Sequence, residues 1–166
     1  MDPRVVELVG RLPESVQELV QQGAVKAMSD KYYVALATIP AAYLLAYVPH
    51  FIGVTVKVYT VGLAYNNDTP RTEEPSKYPK TLARCVGAHQ NALEMFPAFA
   101  AAVLLAKVQK ADAKRVTALA VQHLKLRFFY TLLYVCGFHK IINAARTAVW
   151  GQAMISLLEL YGASLF

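Results

Sequence analysis

Charge is scarce in this sequence: 17% of its 166 residues are Asp, Glu, Lys or Arg, against 56% that are hydrophobic. That balance excludes a disordered tail, which needs high charge and few apolar side chains. Cysteine is scarcer still, with 2 residues, so no disulfide framework can hold the fold. The sequence has no Walker-type GxxxxGK loop, no GxSxG elbow, no HExxH and no CxxC, so nothing in it supports a phosphate cradle, a serine nucleophile or a common zinc site. A chain of this length also has no room for a multi-domain enzyme.

The charges that do occur come in blocks. Residues 1–31 hold four basic and five acidic groups, residues 57–84 five and three, and residues 107–115 four and one. Between the first two blocks, Tyr32 to Val56 is a run of 25 residues with none. At 1.5 Å per residue such a helix reaches roughly 37 Å, enough to cross a hydrocarbon core of about 30 Å. The run is too long and starts too deep in the chain for a cleaved signal peptide. Three further segments, Cys85 to Ala106, Val116 to Phe138 and Ile141 to Phe166, are each long enough to span and mostly apolar. A soluble four-helix bundle would need a well-charged outer face on its helices, and none of these segments has one. The sequence therefore predicts an all-α fold: an integral membrane four-helix bundle over residues 32–166, multi-pass, behind an amphipathic helical extension over residues 1–31.

That extension carries Val5, Val6, Leu8 and Val9, then Val16, Leu19 and Val20, with charges between. It reads as one or two short helices lying on the membrane or capping the bundle. Asn66-Asn67-Asp68-Thr69-Pro70, followed by Pro75 and Pro79, is a polar turn-rich loop ahead of the second span. Lys107 to Lys114 and Gly137 to Lys140 are the shorter connections. Pro40, Pro49 and Pro97 fall inside spans, where neighbours must re-satisfy the carbonyls they free. Lys and Arg flank the spans six to a side, so the positive-inside rule assigns no orientation. The net charge of +6 sits in these loops, where anionic lipid headgroups are its natural partners and nucleic acid is not.

Polar groups at bilayer depth cost free energy unless paired or wetted, and they mark function. On a helical wheel Arg84, Gly87, Asn91 and Glu94 fall within an arc of about 80°. His123, Arg127, Tyr130, Thr131 and Tyr134 share a face of the third span, and Asn143, Arg146 and Trp150 align on the fourth. Turning these stripes toward one another, within a chain or across a subunit boundary, pairs Glu94 with Arg127 as a structural ion pair. Arg146 has no acidic residue nearby in sequence, which points to an anionic ligand. His89 and His50 read as interfacial or interhelical hydrogen-bonding groups, and Cys85 and Cys136 as inert thiols. No metal site is predicted.

The stretch from Arg84 through Ala88-His89, Asn91 and Glu94 to Pro97-Ala98-Phe99 resembles the second-helix signature of the MAPEG family, the membrane-associated proteins of eicosanoid and glutathione metabolism. Arg127 to Tyr134, and Arg146-Thr147 with Trp150 beyond, resemble the third- and fourth-helix elements of the same family, so the resemblance covers roughly residues 32 to 164. It implies a homotrimer of four-span subunits that binds glutathione as co-substrate between neighbours. It further implies glutathione contacts at Asn91, Glu94, Tyr130, Tyr134 and Arg84, with Arg146 and Thr147 stabilising the thiolate. The second substrate implied is a lipophilic electrophile arriving through the bilayer, and the host membrane of a eukaryotic cell would be the endoplasmic reticulum or another endomembrane. Family enzymes carry basic residues where Gly87 and Gln90 stand here, and the segment from His139 to Ala145 is longer than theirs. Two functions follow: a membrane glutathione transferase or peroxidase, or a catalytically silent relative that binds lipid or a protein partner. A channel is disfavoured by the small number of spans.

Overall fold

The computed structural model describes residue 10 and residues 13–62, 79–137 and 139–165. The Val5 to Val9 segment, the Asn66 to Pro70 loop with Pro75, and Phe138 lie outside the described residues. Five helices account for nearly all of the rest: α1 (Glu14–Ser29), α2 (Tyr33–Val61), α3 (Lys80–Val108), α4 (Ala113–Cys136) and α5 (Lys140–Leu165). The described residues contain no strand.

Helices α2 and α3, of 29 residues each, are long and apolar enough to cross a membrane. Helices α4 and α5 are nearly as long, at 24 and 26 residues, but carry more polar side chains. The outward faces of the bundle are apolar nonetheless: Leu44 and Phe51 of α2 are 69% and 66% exposed, Phe128 of α4 51%, and Ile141 and Leu158 of α5 73% and 63%. In water these would form an aggregating surface, whereas against acyl chains they need no partner. Thr55 and Thr60 return their hydroxyls to the carbonyls of Phe51 and Val56, at 2.9 and 2.8 Å, which hides them from lipid.

The bundle runs up and down, with α3 and α4 at its centre and α2 and α5 on the flanks. Pro79 precedes α3, where its missing N–H costs nothing. Asp112 caps α4 by accepting from Lys114 N at 3.2 Å. The end of α3 is a Schellman turn: Ala111 N donates to Ala106 O at 3.0 Å and Lys110 N to Lys107 O at 3.1 Å. Lys110 sits at the left-handed position, φ 56°, that glycine normally takes.

One end of the bundle gathers the start of α2, the α3–α4 turn and the end of α5. Its core is Tyr32, Ala35, Phe99, Ala102, Val103, Ala106, Val116, Leu119, Ala120, Leu157 and Leu160. The alanines in this set let the helix backbones approach closely, which is how helices pack where lipid removes the hydrophobic drive. Lys107 Nζ pairs with Asp30 Oδ2 at 2.6 Å, Asp30 Oδ1 accepts from Tyr32 N at 2.8 Å, and the Tyr32 hydroxyl donates to the Ala111 carbonyl. These bonds tie the link after α1 to the α3–α4 turn.

Of the three prolines inside spans, Pro49 is compensated by a neighbouring helix. Pro49 disturbs the carbonyls of the preceding turn, and His89 Nδ1 donates to the Ala46 carbonyl at 2.7 Å. Near Pro97, the Tyr161 hydroxyl donates to the Ala98 carbonyl at 2.9 Å.

Candidate functional site

The opposite end gathers the start of α3, the end of α4 and the start of α5, and there the polar stripes meet. Arg127 of α4 is 5% exposed. Its Nη2 donates to Asn91 Oδ1 of α3 at 2.8 Å, and its guanidinium carbon lies 4.6 Å from the Tyr130 ring centroid. Nη1 of the same group is buried and has no hydrogen-bond partner. Tyr130 and Tyr134 meet edge to face at 5.6 Å and 70°. Arg146 of α5 lies over the Tyr134 ring at 4.3 Å, completing a row in which two rings lie between two cations. Among the described residues neither Arg127 nor Arg146 forms an ion pair.

Glu94 and Arg127, placed together as an ion pair by the sequence reading, do not meet within the chain. Glu94 is exposed and accepts from Gln90 Nε2 of its own helix at 3.1 Å. Arg127 instead turns to Asn91, one helical turn earlier, whose neutral amide oxygen satisfies a donor without a carboxylate being stripped of solvent. Thr147 is likewise exposed, and its hydroxyl donates to the Asn143 carbonyl of its own helix at 3.2 Å. Mid-helix threonines satisfy themselves this way when nothing else competes. Arg84 is half-buried one turn before Gly87.

His123 shares the α4 stripe but has a packing role. Its ring stacks on Phe99 at 4.5 Å and 11°, and its Nδ1 donates to the Ala153 carbonyl at 3.0 Å, with Ser156 Oγ 3.1 Å away. It joins α3, α4 and α5 at mid-depth. The sequence placed His123 on the Arg127 face, but nothing in the periodicity separates a ring that stacks from one that binds. In sequence Gly87 is a member of the α3 polar arc that lacks the family's basic side chain. In the fold it lies against the Tyr134 hydroxyl, and only the α3–α4 register reveals that contact.

A cavity of about 20 Å³ lies beside Arg127, His123 and Thr131, walled otherwise by apolar side chains including Phe96 and Met95. That volume is close to the lower limit for a single water and far below that of any organic ligand. Along the row Arg127 and Tyr130 are each 5% exposed, while Tyr134 and Arg146 are half-buried. Among the described residues no group of three or more His, Cys, Asp or Glu could hold a metal ion, and both cysteines are free.

No curated protein and no solved structure matches the chain. The family model for the MAPEG family matches residues 34–166, a stretch that starts at the head of α2 and contains every residue of the row. With its apolar helical bundle and this match over most of its length, the chain belongs to the MAPEG family, membrane proteins of eicosanoid and glutathione metabolism.

Proposed function

We propose that this protein is a membrane glutathione transferase or peroxidase that conjugates or reduces lipophilic electrophiles through a thiolate stabilised by Arg146. The observation that carries the reading is the pair of guanidinium groups, Arg127 and Arg146, each lying on a tyrosine ring and neither paired with a carboxylate among the described residues. A cation at bilayer depth without a counter-charge favours an anion from outside the chain. Glutathione supplies two carboxylates and a thiol that becomes a thiolate.

In this reading Asn91, Glu94, Tyr130, Tyr134 and Arg84 contact the tripeptide. Tyr134 is the hydroxyl beside the activating cation, because the Thr147 hydroxyl is engaged with its own helix. A cation–thiolate contact of about 2.7 kcal/mol lowers a thiol pKa from about 8.5 to about 6.5, which makes most of it thiolate at neutral pH. The thiolate sulfur then bonds to the electrophilic carbon of the second substrate, and the leaving group departs with the bonding electrons. We assign the wall facing the half-buried Tyr134 and Arg146 to a neighbouring copy in a homotrimer within a multi-pass endomembrane assembly.

The test is glutathione binding and conjugation of 1-chloro-2,4-dinitrobenzene by the purified protein, wild type beside Arg146→Ala. We expect turnover by the wild type and a loss of about 10- to 100-fold in kcat/KM in the variant. If a folded, oligomeric wild type binds no glutathione and shows no turnover above buffer, the enzyme reading falls. The second reading is then a catalytically silent relative that binds lipid or a protein partner. The exposed, self-satisfied Thr147 and the Glu94–Gln90 contact favour that alternative.

A further inference from the structure

We propose that Gly87 is a positioning residue: the space left by its missing β-carbon is the seat of the Tyr134 hydroxyl, and that seat holds the Tyr134 ring under Arg146. The inference rests on the glutathione reading for its functional consequence and on geometry alone for the seat.

Gly87 lies in the second turn of α3, and its backbone is not in the left-handed region; among the described glycines only Gly62 is. Nothing in its dihedrals calls for glycine, while glycine inside a helix costs about 1 kcal/mol relative to alanine. Space supplies the reason. A β-carbon at Gly87 would lie 2.6 Å from Tyr134 Oη, 3.2 Å from Cζ and 3.3 Å from Cε1, all inside van der Waals contact. The half-buried ring packs against the Tyr130 ring at 5.6 Å and the Arg146 guanidinium at 4.3 Å, so a retreat disturbs those contacts. By contrast, a β-carbon at Gly151 of α5 would meet nothing within 4 Å.

The chemistry follows from the exclusion. Any side chain at position 87, a cation included, displaces the Tyr134 ring, so α3 offers backbone rather than charge at this point. The Tyr134 hydroxyl makes no hydrogen bond among the described residues. It is therefore a neutral donor beside a cation, an arrangement suited to a thiolate or thiol sulfur. Arg127, the other guanidinium of the row, is left for a carboxylate of the ligand.

The experiment places 3-fluorotyrosine at position 134 of the full chain in nanodiscs and compares wild type, Gly87→Ala and Gly151→Ala by fluorine NMR, with glutathione titrated into each. We expect Gly87→Ala to shift the resonance and Gly151→Ala to leave it in place. Glutathione Kd should rise about 10-fold in Gly87→Ala, and no further when Gly87→Ala is added to Tyr134→Phe, because in that background the hydroxyl it displaces is already gone. An unmoved resonance in a folded Gly87→Ala protein overturns the seat, whatever glutathione does. A shifted resonance in a protein that binds no glutathione upholds the seat and sinks the thiol reading. Additive losses from Gly87→Ala and Tyr134→Phe overturn the claim that the glycine acts through that hydroxyl.

Discussion

At the Tyr32 end of the bundle the polar groups find partners inside the chain, with Asp30 serving both Lys107 and the Tyr32 N–H while alanines pack between; at the Arg146 end two guanidinium groups rest on tyrosine rings and find no acid. The two ends also differ in desolvation: the Lys107 and Asp30 side chains keep 39% and 21% of their exposure, whereas Arg127 keeps 5%. An unpaired buried ion costs several kcal/mol, so the second arrangement is not what packing alone would select. One end pairs its charges within the chain, and under the proposed function the other holds its cations for an anion from outside it.

The sharpest way to break this contrast is Phe99→Ala in the packed half. Phe99 is fully buried and stacked on His123, so the loss is about 3–5 kcal/mol, read as a lowered unfolding midpoint, with glutathione affinity of the folded protein unchanged. Arg127→Met is the converse. Removing a buried cation that lacks a carboxylate should leave stability level or raise it by about 1–2 kcal/mol, less the hydrogen bond lost at Asn91, while glutathione binding disappears. A strongly destabilised Arg127→Met protein would mean that both ends are structural. The smallest effect is at Lys110, which takes the left-handed position of the Schellman turn. Lys110→Gly should raise stability by up to about 1 kcal/mol without touching activity, measured as a small rise in Tm.

The spans were legible because exclusion from water depends on composition over a long window, and the 25 chargeless residues from Tyr32 meet that condition wherever their neighbours lie. The polar stripes were legible for a related reason: side chains three or four apart share a helix face, which brought Asn91, Arg127, Tyr130, Tyr134 and Arg146 forward together. Partner choice was not legible. Glu94 and Asn91 lie about 60° apart on the wheel, and which of them Arg127 meets depends on how far α3 and α4 slide past each other. Thr147 follows the Arg146 motif in sequence, but its hydroxyl answers to its own helix first. His89 could be read as an interhelical hydrogen-bonding group from its place off the polar face. Its acceptor at Ala46 required the position of the Pro49 turn.

Sequence alone determined that this chain is helical, that it enters a membrane, and that cations and tyrosines recur on shared helix faces, since each of these depends only on local spacing and hydropathy. The tertiary structure decided that Arg127 bonds to Asn91, that Glu94 stays at the surface, and that the bare α-carbon of Gly87 receives Tyr134. Those outcomes depend on register and on distances of a few ångströms between helices, set by the packing of many small residues at once and encoded in no single stretch of the chain.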